Sequence, residues 1–406
     1  MNKTSVPAVI AASTIAAGVL VAASAHVAAA TDPFSRPAPS TTDPFQAEVF
    51  VGATYDDNLF RLENEEEALD EIGDDQLEDW YYYYGAGFQG NFAGDRRRFA
   101  LDGQIYRQEF DEQGFLDHTG GRLNANGEWA LSSDTDGLLG YGYQRRLQSF
   151  TNKANTDKDV IDQHGFTAGI EHTLAQRWQL RLGGGWTDLD FSTSDFLDKE
   201  RIDAEAEIRY AASQKSIFGL LATWTQSDFD DGDTRDFSGW SVGPSFEWQL
   251  TSRFQLSANI GYTHRGLDES GGTLEDFDGV TGFVAALWEP GERFSHELRA
   301  FREISNLGGE VSEYTKLTGV RWRPRWQLTP KLSTRLALTF EERDFTAIEG
   351  LPDREDDYLL ADLWFDFDAT QRLLVSLGYT YETRDSNEPE EEFDAHVFRG
   401  ELRFRF

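Results

Sequence analysis

The sequence predicts an all-β fold, a transmembrane antiparallel outer-membrane β-barrel of about 18 strands. Three observations carry this reading. Apolar residues recur with a period of two over stretches of about ten residues, tight turns recur every 38 to 41 residues, and the chain ends in an alternating strand whose last residue is Phe406. Strict alternation over such a length gives a strand one apolar and one polar face.

The elements follow in chain order. Residues 1–30 read as a signal peptide: Lys3 supplies a positive start, residues 7–24 are almost wholly small and apolar, and Ala28-Ala29-Ala30 offers a cleavage site. Residues 31–45, TDPFSRPAPSTTDPF, have four prolines and no apolar period, and read as a periplasmic linker. Two Asp-Pro-Phe copies, Asp32 to Phe34 and Asp43 to Phe45, bracket it. Residues 46–406 then read as the barrel, with no further stretch as long and apolar as a membrane helix requires.

Alternation is clearest at residues 177–187, where Trp178, Leu180, Leu182, Gly184 and Trp186 share one face. It recurs at 240–250 with Trp240, Val242, Pro244, Phe246, Trp248 and Leu250. Trp178 and Trp186 stand eight residues apart, as do Trp240 and Trp248. At about 3.3 Å per residue and a tilt near 40°, eight residues rise roughly 20 Å, close to the separation of two aromatic girdles. Short turns are expected at Ala93 to Arg96, Ser132 to Asp136, Ala175 to Arg177, Ser213 to Lys215, Thr251 to Arg253, Pro290 to Glu292, Thr329 to Lys331 and Thr370 to Arg372. From the third on, their centres lie 38, 38, 39, 39 and 41 residues apart. Longer acidic segments lie between them; residues 63–79 hold ten Asp or Glu and no Lys or Arg. Each period is therefore a hairpin, and an even strand count puts both termini on the short-turn side. A β-propeller also repeats near 40 residues, but it needs four short strands per repeat, not two long ones.

Composition narrows the function. The chain has no cysteine, so a disulfide scaffold and a Cys-ligated metal site are excluded. Its 37 basic and 72 acidic residues, net −35, argue against nucleic-acid binding. With 30 Phe, 14 Tyr and 11 Trp it is no solvated coil. No H-E-x-x-H motif occurs and the seven His are scattered, so no enzyme, cofactor or metal is expected. The run Asp228 to Asp233 misses the calcium-loop order, because Gly232 falls at the fifth place.

Parity assigns the inward positions. Arg321, Arg323, Arg325, Arg335, Arg399 and Arg403, with Glu297 and Glu341, fall on the polar face and are the candidate lumen or solute-contacting residues. Asp203, Glu205, Glu207 and Arg209 form a similar inward row. Two readings fit these rows: an ion-paired wall that tolerates charge, or a basic ladder that contacts an anionic or polyhydroxylated solute. In the last strand Phe398, Leu402, Phe404 and Phe406 alternate with Arg399, Glu401, Arg403 and Arg405. A final strand of this kind, ending in Phe404 and Phe406, is similar to the signal read by the barrel assembly machinery.

One segment carries a family resemblance. Tyr55-Asp56-Asp57-Asn58-Leu59-Phe60-Arg61-Leu62 resembles the octapeptide of outer-membrane barrels encoded in exopolysaccharide biosynthesis clusters (the EpsL type), and a broader set of β-barrel porins. The resemblance implies a role in exopolysaccharide export or surface assembly, with the polymer passing through or along a polar lumen. The alternatives are a general diffusion porin for small hydrophilic solutes and a non-transporting structural partner. Expected partners are outer-membrane lipid and lipopolysaccharide, the assembly machinery, polysaccharide and other export components.

Overall fold

A computed structural model describes residues 45–73, 75–153, 155–230, 236–267, 276–305, 312–347 and 353–406. The expected signal peptide, the expected linker up to residue 44 and residues 231–233 of the Asp228 to Asp233 run lie outside the described residues. Eighteen strands form one antiparallel sheet. They are β1 (Phe45–Asp56), β2 (Asp79–Ala93), β3 (Arg97–Phe110), β4 (His118–Ala130), β5 (Thr135–Leu147), β6 (Val160–Ala175), β7 (Trp178–Phe191), β8 (Lys199–Ala211) and β9 (Ser216–Phe229). Then follow β10 (Phe237–Thr251), β11 (Phe254–Leu267), β12 (Phe277–Gly291), β13 (Phe294–Ser305), β14 (Ser312–Thr329), β15 (Leu332–Ala347), β16 (Arg354–Asp368), β17 (Leu373–Ser386) and β18 (Phe393–Arg405). Each strand pairs with its chain neighbours, and β1 pairs with β18 from Glu48↔Arg405 to Asp56↔Val397. Closure leaves no sheet edge.

The expected turns fall between successive strands, and the largest departure is at β5, which begins at Thr135 inside the expected Ser132 to Asp136 turn and stops at Leu147. The short turns have a common device. Ser213, Thr251, Thr329 and Thr370 each accept the backbone N–H two residues on through the side-chain hydroxyl, at 3.1–3.3 Å. A hydroxyl there supplies the partner that a two-residue reversal otherwise lacks.

The two faces separate cleanly. On β18, Phe398, Leu402, Phe404 and Phe406 point out, while Val397, Arg399, Glu401 and Arg403 are buried on the lumen side. Trp80, Trp178, Trp224, Trp240, Trp288 and Trp326 are exposed on the outer face, and Trp224 stands directly opposite Trp240 in register. An apolar exterior with aromatic rings at two levels matches a membrane-spanning barrel. Trp364 breaks the pattern: it is buried on the lumen face, with Arg335 5.1 Å from its ring.

The acidic segment after β1 departs from a plain loop. It holds a helix, α1 (Glu65–Ile72), capped by the Asn64 side chain, which accepts from Glu66 and Glu67 N–H at 3.0 Å. Gly73, at φ 73°, ends it in the left-handed conformation that glycine adopts without a Cβ clash. Three Glu in its first turn suit the positive end of the helix dipole.

Candidate functional site: a latched mouth and two unlike walls

The loop end of the barrel is crossed by chain. After β1 the segment Asp57 to Leu62 turns inward. Leu59, Phe60 and Leu62 pack with Ala68 of α1, with Phe110 at the end of β3 and Leu116 beyond it, and with Phe150 of the β5–β6 connection. Phe60 and Phe150 meet edge-on with ring centroids 4.8 Å apart. Burial of this apolar group is what draws two loops into the mouth.

Polar groups fix the same loops to the far wall. Glu382 on β17 is wholly buried. Its Oε2 accepts from Arg61 Nε at 2.9 Å, and its Oε1 accepts from Thr151 Oγ1 and from Tyr358 OH, both at 2.8 Å. Arg384 donates to the Thr151 carbonyl at 2.7 Å, and Arg343 to Asn152 Oδ1 at 3.1 Å. Thr151 comes from the β5–β6 connection, six to eight strands round the ring from β16 and β17. These bonds therefore span the lumen. One carboxylate ties the β1–β2 loop, the β5–β6 loop and the β16–β17 wall together.

The octapeptide builds the near side of this latch. Asn58 closes a small ring, donating to the Leu62 carbonyl at 2.7 Å and accepting its N–H at 3.0 Å. Asn58 also donates to the Asp394 carbonyl at 3.0 Å, and Asp57 accepts the His396 N–H at 2.6 Å, so both are stitched to β18. Asp56 accepts from Arg61 at 2.9 Å. Arg61 sits at φ 62°, uncommon for a residue with a side chain, and is held there by these bonds. Burial alone would lower the Arg61 pKa, but Asp56 and Glu382 outweigh it and hold the guanidinium above its usual range. Leu59 and Phe60 fold back into the apolar cluster at the mouth.

The predicted lumen residues lie on one continuous stretch, β13 to β18. Arg321 reaches Glu341 at 3.5 Å and Thr339 at 3.3 Å, and Arg343 pairs with Glu341 at 2.9 Å. Arg323 lies 3.8 Å from Glu297, and Arg335 lies 3.6 Å from Asp366. Arg399 donates to Thr380 at 2.6 Å and lies 3.5 Å from Asp362. Arg403 pairs with Glu401 at 3.1 Å and also with Glu48 across the barrel seam. Arg325 is exposed, opposite Arg335 in register, and has no ion pair among the described residues. Several guanidinium groups also rest on inward aromatics: Arg343 lies 3.5 Å from the Tyr358 ring centroid and Arg354 4.2 Å from that of Phe345. Most of the arginine row is thus satisfied by the wall itself.

The facing stretch differs. Register places Gly165, Thr167 and Gly169 of β6, Gly183, Gly185 and Thr187 of β7, Thr223 and Thr225 of β9, and Ser241, Gly243 and Ser245 of β10 on the lumen side. Charge interrupts this at β8, where Asp203, Glu205, Glu207 and Arg209 fall inward as expected, and at Glu171 of β6, Arg181 of β7 and Glu247 of β10. Arg209 reaches Glu247 at 2.7 Å and Arg181 reaches Glu171 at 2.9 Å. Parity in the sequence placed the charged rows; it gave no sign of the latch, whose partners Thr151 and Glu382 lie 231 residues apart.

A family profile described as "Putative beta-barrel porin 2" matches residues 225–406, from within β9 to the C-terminus, and so takes in the whole charged wall. Among solved structures, the chain is similar to a BenF-like porin from Pseudomonas fluorescens Pf-5, with TM-score 0.48 and 12% identity, covering 90% of this chain and 99% of that one. It is also similar to OccK3 (OpdO) of Pseudomonas aeruginosa, with TM-score 0.47 and 14% identity over 89% of this chain and 95% of that one. OccAB3 of Acinetobacter baumannii gives TM-score 0.46 and 10% identity over 89% and 99%. No curated protein matches in sequence. A closed eighteen-strand barrel with an apolar outer face and a porin profile over its second half is a porin-like protein of the bacterial outer membrane.

Proposed function

We propose that this outer-membrane barrel is a passive channel for small hydrophilic solutes, narrowed at its mouth by the latched loops. The observation that carries the reading is the pairing of unlike walls. Gly, Ser and Thr on β6, β7, β9 and β10 leave room beside them, while β13 to β18 present ion-paired arginines and carboxylates. A solute moving along the small-residue side meets hydroxyls on one hand and fixed charges of both signs on the other, a setting for polar selectivity without tight binding. Loops anchored across the entrance suit small solutes better than a polymer.

The test is single-channel recording of the purified protein in planar bilayers, together with liposome swelling in sugars of increasing size. Discrete currents, and entry of monosaccharides with exclusion of oligosaccharides, are expected. Absence of current from both wild type and Glu382→Gln overturns the channel reading.

The octapeptide's resemblance supports a second reading, polysaccharide export. Deleting the gene then reduces surface polysaccharide even where bilayer currents are normal. If neither current nor polysaccharide is affected, a structural role is left. Under each reading Phe404 and Phe406 are the segment the assembly machinery engages. Deleting Phe406 lowers recovery of heat-modifiable protein in the outer membrane; unchanged recovery argues against that role.

A further inference from the structure

Near the loops, where the outer face of the barrel passes from apolar to polar, one small constellation recurs. On β5 and β6, Tyr141 OH meets His164 Nδ1 at 3.0 Å and Tyr143 OH donates to Asp162 at 2.6 Å. On β17 and β18, Tyr379 OH meets His396 Nδ1 at 2.8 Å and Tyr381 OH donates to Asp394 at 2.9 Å. The sequence repeats with the geometry: Tyr-x-Tyr on the first strand of each pair, Asp-x-His-x-Phe on the second. The ring contacts repeat too, with Tyr141–Phe166 centroids 4.8 Å apart at 45° and Tyr379–Phe398 centroids 5.0 Å apart at 44°. A third cluster on β11 and β12 uses the same groups in another order, Tyr262 and His264 both reaching Asp278 Oδ1 at 3.0 Å.

Their placement is regular. In a ring of eighteen strands, the pairs β5–β6, β11–β12 and β17–β18 stand six strands apart, one third of the circumference. Two residues nearer the turns, each cluster gives way to an exposed apolar side chain, Phe166, Val280 or Phe398. At β5–β6 the cluster also lines a cavity of about 460 Å³ with Arg145 and Asp190.

Carboxylates on a lipid-facing wall are tolerated at the interface and costly at mid-depth, so these clusters stand at headgroup level. A neighbouring protein covers one sector of a barrel. Groups spaced by thirds face instead what surrounds it on every side, the outer leaflet. Tyrosine faces with phenol, imidazole and carboxylate atoms offer both apolar contact and paired donors and acceptors. That combination fits a ring bearing hydroxyls, and the carboxylates disfavour a bare phosphate. We propose that the three clusters are seats for the saccharide headgroup of an outer-leaflet glycolipid, lipopolysaccharide. They face away from the lumen, so the proposal stands apart from the transport reading.

Native mass spectrometry of the full-length protein, equilibrated with rough lipopolysaccharide or with phosphatidylglycerol, tests this. Wild type should retain up to three glycolipids per barrel. Tyr141→Phe with Tyr143→Phe and His164→Phe should retain one fewer, and the matching change at Tyr379, Tyr381 and His396 should remove a second. Asp162→Asn and Asp394→Asn, which keep side-chain volume, serve where the triple changes abolish heat-modifiable folding, and should weaken the same steps. Retention of phosphatidylglycerol should not follow these changes. The proposal is overturned if wild type retains no lipopolysaccharide, if the folded variants retain as much as wild type, or if phosphatidylglycerol is lost in parallel.

Discussion

On β13 to β18 the inward positions carry Arg, Glu, Asp and aromatic residues that pair with one another, whereas on β6, β7, β9 and β10 they carry mainly Gly, Ser and Thr. Both stretches present a polar surface to the same lumen, by opposite means. The first places charges and then neutralises them locally: Glu341 serves both Arg321 and Arg343, and Asp362 lies by Arg399. The second keeps side chains short. Charge on one wall is affordable because each ion has a partner beside it, whereas an isolated one at a dry wall would be costly. On the channel reading proposed above, the wall with little on it sets the width of the passage and the one with much sets its selectivity.

The largest way to disturb this arrangement is at the latch that joins the walls. Glu382→Ala removes the acceptor of Arg61, Thr151 and Tyr358 and leaves Arg61 with Asp56 as its one carboxylate partner among the described residues. Breaking a buried pair by deleting one partner costs about 3–5 kcal/mol, so the inward loops should undock. Larger single-channel conductance and faster proteolysis of the segment around Thr151 are expected; unchanged conductance would show that the latch does not limit flow.

Next, the comparison is sharpened by filling the small-residue wall. Thr223→Trp, whose side chain enters the lumen between β8 and β10, should reduce conductance by roughly two-fold, since pore-lining bulk sets flow. Selectivity should shift less. The same bulk on the outer face at Val280 leaves conductance unchanged.

On the charged wall the balance reverses. Arg323→Gln with Arg325→Gln removes the two row members least held by carboxylates, one 3.8 Å from Glu297 and one with no ion pair among the described residues. Reversal potentials in a salt gradient should move toward cation preference, with folding intact. Arg321→Gln, whose partner is shared with Arg343, should shift them less. Equal shifts from both changes would deny that pairing distinguishes members of the row.

The smallest effect concerns pH. Partial burial, with Glu63, Glu71 and Glu390 nearby, raises the Glu67 pKa in α1 above its ordinary value. A carboxyl whose pKa is raised in the docked state binds its proton more tightly there, so docking gains as pH falls and loses that gain as pH rises through the raised value. Open-channel probability should therefore drop modestly on acidification through the raised Glu67 value toward the ordinary carboxylate range, and the drop should vanish in Glu67→Gln.

How much of this was legible differs between the parts. The strands were readable because alternation is a local signal, and so was the inward parity of Arg321, Glu341 and Arg403. The helix α1 was missed because its run of Glu masked an ordinary start and stop, Asn64 before three Glu and Gly73 after Ile72. The octapeptide could be singled out, yet its role depends on Glu382, 321 residues from Arg61, and no local pattern announces that pairing. The Asp-x-His-x-Phe repeat is visible in the sequence, but its meaning needs the ring order of the strands.

The seam has a temporal consequence. Closure joins Glu48 to Arg405 and the Phe406 N–H to the Ala47 carbonyl, so the first strand of the sheet is completed by the eighteenth. Every other ladder can zip between chain neighbours, whereas this one needs the sixteen strands between to be drawn round. Until then two long strands stand unpaired at the edges of an open sheet. A substitution in β1 or β18 is therefore expected to show itself first as lost yield and a longer-lived intermediate, and only afterwards, if at all, as a less durable barrel.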